Sequence, residues 1–468
     1  MDSPSFSNNI ITVLCLFLLC NLPCFPSSSV TFPKEALPTK SGYLPVDPAK
    51  PGSAIFYTFY EAQQPSSPSL SITPLVFWLQ GGPGCSSMIG NFFELGPYLV
   101  TPELGLTKNP GSWNRIFGLV FLDNPIGTGF STAASPLDIP RDQNAVASHL
   151  FSAISVFLRG LGPDSKTRPL YITGESYAGK YVPAIGSYIV RHNANLPAAG
   201  SSDSESRLNL KGVAIGDGLT DPVTQVQTHA LNAYFSGLIN DLQREELERA
   251  QSEAVRFVGM EKWKEATEAR NRVLNMLQNM TGLATLYDFT KTEPYKTELV
   301  VALLASPEVK AALNANTSIV FEECGKAAAA ALHEDVMKST KGMVEELLLS
   351  PQPLRVLLYQ GQHDLRDGVV SVEAWMKTIR RWGGLSEFLA ARREVWRVDG
   401  LLAGYVQRSE TGRLTHAVVL GAGHLVPTDQ PVNAQAMMEG WILETGPFAA
   451  GKGRQQQRVI PDHYRWQY

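Results

Sequence analysis

The chain has 468 residues, a formal net charge of -4, a pI near 6.1 and 44% hydrophobic residues, so it shows neither a basic footprint nor an acidic excess. That balance argues against nucleic acid as a partner. Length alone suggests two or three domains, although one wide α/β sheet with an inserted cap absorbs the same length.

Residues 10–20 are an almost unbroken apolar run, followed by Pro23, Pro26 and serines at 27–29. They read as a secretory signal peptide covering residues 1–29, although the stretch before Ile10 carries Asp2 and no Lys or Arg, where such a region is usually basic. The run is shorter than the roughly 20 apolar residues of a spanning helix, and no later segment supplies one. The mature protein is therefore expected to be extracellular or vacuolar, with no membrane attachment. Cys15, Cys20 and Cys24 leave with the signal, so Cys85 and Cys324 remain, available for one disulfide or standing as two unrelated buried thiols. Sequons at Asn279 and Asn316 would be usable for glycosylation in that compartment.

Apolar runs rich in β-branched and aromatic residues at 75–79, 119–122, 170–173, 210–215, 356–359 and 417–420 each end in a Gly, an Asp or another turn residue. They predict buried parallel strands, and in open α/β sheets ligands bind at the carboxyl edge of such strands. Residues 65–71 and 193–206, rich in Pro, Ser, Ala and Asp, read as surface loops. Between the fourth and fifth runs the pattern changes to long helical stretches such as 241–279, with Leu242, Leu247, Ala250, Trp263 and Leu274 among charged residues. The expected organisation is a first core part at 30–220, a mostly helical cap at 221–350, a second core part at 351–449 and a polar tail at 450–468. Lys452, Arg454, Arg458 and Arg465 in that tail read as solvated.

Four motifs stand at these strand ends. Gly174-Glu-Ser-Tyr-Ala-Gly179 sits between a strand and a plausible helix start, the setting of a nucleophile elbow, which makes Ser176 the candidate nucleophile. Gly174 supplies the small residue before it, and Ala178 stands where the usual pattern has a second Gly. Tyr359-Gln-Gly-Gln-His-Asp364 offers a carboxylate, and Gly421-Ala-Gly-His424 a histidine on a short glycine-rich loop. The order Ser, Asp, His is that of α/β-hydrolases. The early Trp78-Leu-Gln-Gly-Gly-Pro-Gly-Cys85 exposes backbone N–H groups suited to an oxyanion hole.

Together these residues resemble the serine carboxypeptidase family, whose members carry W-L-N-G-G-P-G-C-S-S, L-D-x-P-x-G-x-G-F-S, G-E-S-Y-A-G and a late G-A-G-H-x-V-P. The matching stretches here are 78–87, 122–131, 174–179 and 421–427, and the similarity spans roughly residues 40 to 445. The resemblance implies an α/β-hydrolase fold with a mostly parallel central sheet and an inserted helical cap. It implies that Ser176 attacks, His424 carries the proton and Asp364 orients His424, with Asp367 as the rival third member. Gly82 and Tyr177 would supply the oxyanion N–H donors, and Trp78, Gln80, Gly81 and Glu175 would bind the substrate's terminal carboxylate, with Glu94 beside Glu175. It also implies a disulfide between Cys85 and Cys324. Gln80 replaces the Asn of most members and, with Gly361-Gln-His-Asp364, resembles the vitellogenic-like branch.

The implied activity is release of C-terminal amino acids from peptides or proteins through an acyl-enzyme, in acid, with no cofactor and no metal. Acyl transfer from a sugar ester uses the same triad in related plant enzymes, and a non-catalytic binding protein on the same fold is the reading from another class.

Overall fold

The computed structural model describes residues 32–47, 49, 51–65, 67, 69–196 and 207–451. The expected signal peptide, the basic residues of the expected tail and residues 197–206 lie outside them. In chain order the strands are β1 (Lys40–Pro45), β2 (Ala54–Tyr60), β3 (Leu75–Leu79), β4 (Tyr98–Val100), β5 (Leu106–Lys108), β6 (Gly118–Leu122), β7 (Leu170–Glu175), β8 (Leu210–Gly216), β9 (Arg355–Gly361), β10 (Glu394–Val398), β11 (Leu401–Arg408) and β12 (Leu414–Val419). Ten of them form one sheet in the order β1-β2-β6-β3-β7-β8-β9-β12-β11-β10, while β4 and β5 pair separately.

The middle six, β6-β3-β7-β8-β9-β12, are parallel, and antiparallel strands extend the sheet at both edges. All five residues of β3 are buried because both faces are covered. Alternate residues go to opposite cores. Phe77, Ile172, Val213 and Leu358 pack with Leu150 and Phe157 of the helix Gln143–Leu161 and with Tyr181 and Ile185 of the helix Ala178–Asn195. Trp78, Tyr171, Ala214 and Leu357 pack on the other face with Met437, Met438 and Trp441 of the helix Pro431–Leu443. The period-two alternation of the pleat thus makes three layers from one run of apolar residues.

Each predicted strand has a counterpart, with one shift: the run expected at 417–420 is β12 at Leu414–Val419. His416 hid its start. Burial lowers that imidazole to about 3, keeping it neutral, and its Nε2 lies 2.7 Å from Gln360 Oε1 on β9. The edge strands were not anticipated: β10 mixes Glu394 and Arg397 with its apolar residues, and β11 opens on Leu401 and Leu402, both exposed. Asn193, expected in a loop, belongs to the helix Ala178–Asn195, where its buried amide exchanges hydrogen bonds with the backbone of Leu208.

Between β8 and β9 the assigned elements are all helices. The helical stretch expected at 241–279 is two helices, Asp241–Gly259 and Trp263–Thr281, separated by a turn in which Glu261 has φ 55°. Asn240 and Gln243 form a capping box at the start of the first. The pair has its own core of Leu247, Ala254, Ala269, Val273 and Leu277, whereas Leu242, expected on the apolar face, is 62% exposed. Two buried ties bind this insertion to the sheet. Asp335 accepts hydrogen bonds from Tyr177 Oη (2.6 Å) and Gln143 Nε2 (2.7 Å) and pairs with Lys180 (3.1 Å). Cys324 is joined to Cys85 by a disulfide.

That disulfide closes a sequence separation of 239 residues, which in the chain-entropy model stabilises by about 5 kcal/mol. Replacing both cysteines by alanine is expected to lower the unfolding free energy by about 3 to 5 kcal/mol in urea titrations. An unchanged urea midpoint would show that the bridge does not hold the insertion.

Candidate active site

Ser176 occupies the turn between β7 and the helix Ala178–Asn195 and has φ 61°, the left-handed region that non-glycine residues rarely adopt. Such strain costs about 1 to 3 kcal/mol and persists where its surroundings over-determine it. Here Ser176 N–H donates to Gly216 O (3.0 Å), and Ser176 O accepts from the N–H groups of Gly179 (2.9 Å) and Leu219 (2.8 Å). A Cβ on Gly174 would lie 2.4 Å from Leu79 O and 2.7 Å from Ala178 Cβ, which is why both flanking residues are small.

His424 follows β12, and Asp364 follows β9. Asp364 Oδ2 lies 2.8 Å from His424 Nδ1, with both side chains buried. Asp364 is held in turn by the N–H groups of Arg366 (2.6 Å) and Asp367 (3.2 Å). Asp367 points elsewhere: its Oδ1 accepts from Gln225 Nε2 at 3.2 Å, and its Oδ2 lies 3.6 Å from Arg270. His424 N–H donates to Tyr287 O (2.7 Å), and the two rings stack with centroids 4.5 Å apart and planes 6° from parallel. His424 Nε2 is buried without a partner. His424 and Ser176 line one cavity of about 190 Å³. The hydrogen bond between Ser176 Oγ and His424 Nε2 is not made in this structure, a looseness common in ligand-free sites.

Two residues that the sequence reading missed complete this arrangement. Tyr287 lies in a loop of the insertion, where nothing in its surroundings marks it. Asp217 sits at a strand end just past Gly216, the same setting that singled out Asp364. It is buried, its carboxylate accepts from Gly361 N–H (3.1 Å), and burial first, then the charge of Asp364, raises its pKa well above the usual carboxylate range. Ligand atoms of Asp217, Asp364 and His424 all lie within 4.8 Å of one another. A protonated Asp217 hydrogen bonded to Asp364 meets the needs of that triangle without a cation.

Gly81 and Gly82 bring the loop after β3 against the elbow. A Cβ on Gly81 would lie 2.6 Å from Tyr177 N and 2.7 Å from Ser176 Cβ, so only glycine fits. Among the described residues the backbone N–H groups of Gly82 and Tyr177 have no acceptor. Beside them lies a buried polar cluster. Trp78 Nε1 donates to Gln80 Oε1 (2.8 Å), and Gln80 Nε2 donates to Glu175 Oε1 (2.7 Å) and Glu94 Oε1 (3.0 Å). Gln80 thus bridges Glu94 and Glu175, and burial raises both, Glu94 to about 7 and Glu175 well above the usual range, with the charge of Glu94 as the second cause for Glu175. Gln80, Gly81 and Glu175 line the cavity, whereas Trp78 and Glu94 lie behind it and hold Gln80 and Glu175 in place. Asn279 and Asn316 are both exposed.

A mostly parallel sheet with a strained serine turn at one strand end, and a paired histidine and aspartate at two later ones, places the protein in the α/β-hydrolase class. Residues 29–444 match the family described as serine carboxypeptidase. The chain is 57% identical over 419 residues to serine carboxypeptidase-like 50 of Arabidopsis thaliana, covering 89% of this chain and 90% of that protein. It is 33% identical over 428 residues to the probable serine carboxypeptidase CPVL of Homo sapiens, covering 89% and 85%. Kex1(delta)p, a prohormone-processing carboxypeptidase from Saccharomyces cerevisiae, shares its structure with a TM-score of 0.75 and 25% identity over 88% of this chain and 92% of its own. The chain belongs to the serine carboxypeptidase family.

The buried carboxyls tie stability to pH. Burial raises Asp123 and Asp367 to about 6 and Glu94 to about 7, and Glu175 and Asp217 rise well above their ordinary values. From about pH 4 upward the unfolded chain gives up protons that these groups keep in the fold, so their contribution is full below that pH and is lost as pH climbs through the raised values. The melting temperature is expected to be lower at pH 8 than at pH 5, with a shallower fall in Asp217→Asn, whose amide donates at every pH. A profile that rises toward pH 8 would show these groups to be ionised in the fold.

Proposed function

We propose that the protein hydrolyses the last peptide bond of peptides or proteins with free C-termini, and does so best in acid. Ser176 Oγ attacks the scissile carbonyl while His424 Nε2 takes its proton, and Asp364 at Nδ1 fixes the tautomer and stabilises the imidazolium. The N–H groups of Gly82 and Tyr177 receive the oxyanion. His424 then protonates the leaving amine, which departs as a free amino acid, and water activated by the same imidazole releases the peptide from the Ser176 ester.

The observation that carries this reading is Glu175 in the cavity of Ser176, with Glu94 paired behind it. A protonated Glu175, supported by Gln80, donates to the terminal carboxylate of a substrate, and an ionised Glu175 repels it. An uncharged sugar ester has no use for such a pair, so the geometry favours peptidase over acyl transfer. Cys85 and Cys324 joined in a disulfide fit the secretory route expected from residues 1–29, among the described residues no helix is long and apolar enough to cross a membrane, and the exposed sequons Asn279 and Asn316 would carry glycans there. An acidic vacuole or the extracellular space is the proposed destination.

Ser176→Ala is expected to abolish both hydrolysis of a blocked dipeptide and fluorophosphonate labelling while leaving the fold unchanged. Glu175→Gln donates the same hydrogen bond at every pH, so its kcat/KM should be lower than wild type in acid yet fall far less on going to pH 7.5. Parallel profiles for the two enzymes would remove Glu175 from the account of acid preference, and a labelled Ser176→Ala would move the nucleophile elsewhere.

A further inference from the structure

A second cavity, also about 190 Å³, opens on the other side of Ser176. It shares Gly82 and Ser176 with the first and takes in Tyr177, but Gln80, Glu175 and His424 line only the first. In the proposed chemistry the leaving amino acid lies beside His424, which must protonate its amine, and its carboxylate lies beside Gln80 and Glu175. The acyl half of the substrate then extends into the second cavity.

Two arginines line that cavity: Arg270 from the helix Trp263–Thr281 and Arg366 from the loop after β9. The Arg270 side chain is 4% exposed and that of Arg366 29%. Each guanidinium carries five N–H donors. Among the described residues neither makes a side-chain hydrogen bond, and they share one carboxylate, with Asp367 Oδ2 at 3.6 Å from Arg270 and 4.0 Å from Arg366. Both separations exceed hydrogen-bond length. Asp367, His333 and Tyr177 are the other titratable groups in the lining, and burial keeps the Tyr177 phenol neutral, so the cavity carries a net positive charge. Burial lowers Arg270 to about 10, which leaves it charged throughout acid and neutral pH, while burial raises Asp367 to about 6 and thins its negative charge in acid. A buried Arg270 with too little counter-charge is costly, and a ligand carboxylate would relieve that cost.

We propose that Arg270 and Arg366 form an anion-binding subsite for the residue on the acyl side of the scissile bond, so that preferred substrates carry Glu or Asp in the penultimate position. This rests on the peptidase reading above and adds the substrate class. Arg forks suit a carboxylate because two parallel N–H groups meet its two oxygens. Arg366 also lies over the Tyr287 ring at 5.3 Å, on the side chain that stacks against His424, so an acidic residue would be gripped close to the reacting centre.

The test is kcat/KM at pH 5.5 for four blocked dipeptides with a common leaving residue and Glu, Gln, Phe or Lys on the acyl side. Wild type is expected to favour Glu over Gln by about tenfold and over Lys by more. In Arg270→Gln the Glu-to-Gln ratio should fall to about one. That ratio is read within one enzyme, so a general loss of activity does not mimic the effect. If the variant does not fold, the wild-type order alone decides. Gln or Phe ahead of Glu in wild type overturns the preference and leaves the peptidase reading standing. Hydrolysis of none of the four by an enzyme whose Ser176 still reacts with fluorophosphonate overturns both.

Discussion

Ser176 holds φ 61° because β7 must turn into a helix within two residues, and neighbouring backbone holds that turn from either side. The loop after β3 presses on it at Gly81, and the end of β8 accepts its N–H at Gly216. From this close approach the rest of the site follows. The same contact that leaves no room for a Cβ at Gly81 sets the N–H of Gly82 beside that of Tyr177, and it carries Gln80 to within 2.7 Å of Glu175. The proposed oxyanion site and carboxylate site would both be consequences of how tightly one loop packs on one turn.

The second organising feature is the burial of carboxyls in pairs. Glu94 with Glu175, and Asp217 with Asp364, each place two acids where desolvation and like charge disfavour a second ionisation. One proton shared within each pair turns a repulsion into a hydrogen bond. The pairs differ in place. Glu175 faces the cavity of Ser176 with Glu94 behind it, while Asp217 and Asp364 back the imidazole of His424. A protein built this way is most stable where those protons are kept, and the acid preference proposed for its chemistry would have the same physical origin.

Much of this could be read from the sequence, for a definite reason. Strands buried on both faces are written as unbroken apolar runs, and the residues that close them, Gly81, Ser176, Asp364 and His424, stand at abrupt changes of residue type. Where burial is one-sided or a polar residue is satisfied inside the sheet, that signal fails. β10 and β11 leave the apolar Val395, Leu401 and Leu402 exposed, and His416 interrupts β12 although Gln360 pairs with it. Asp217 had the same strand-end signature as Asp364, but its role depends on which carboxyl it meets across the sheet. Tyr287 and Arg270 come from the insertion, whose approach to the sheet is fixed by Cys324 and Asp335 through contacts far apart in the chain.

The most direct test of the account compares one blocked dipeptide as its free acid with the same dipeptide as its C-terminal amide, at pH 5 with wild-type enzyme. If Glu175 and Gln80 read a terminal carboxylate, the free acid should be cleaved about 100-fold or more faster in kcat/KM, since a site built for a polar group rejects analogues that lack it. Equal cleavage of acid and amide would contradict the account, because it would leave a serine hydrolase whose buried carboxyl pair does not recognise the end of a peptide.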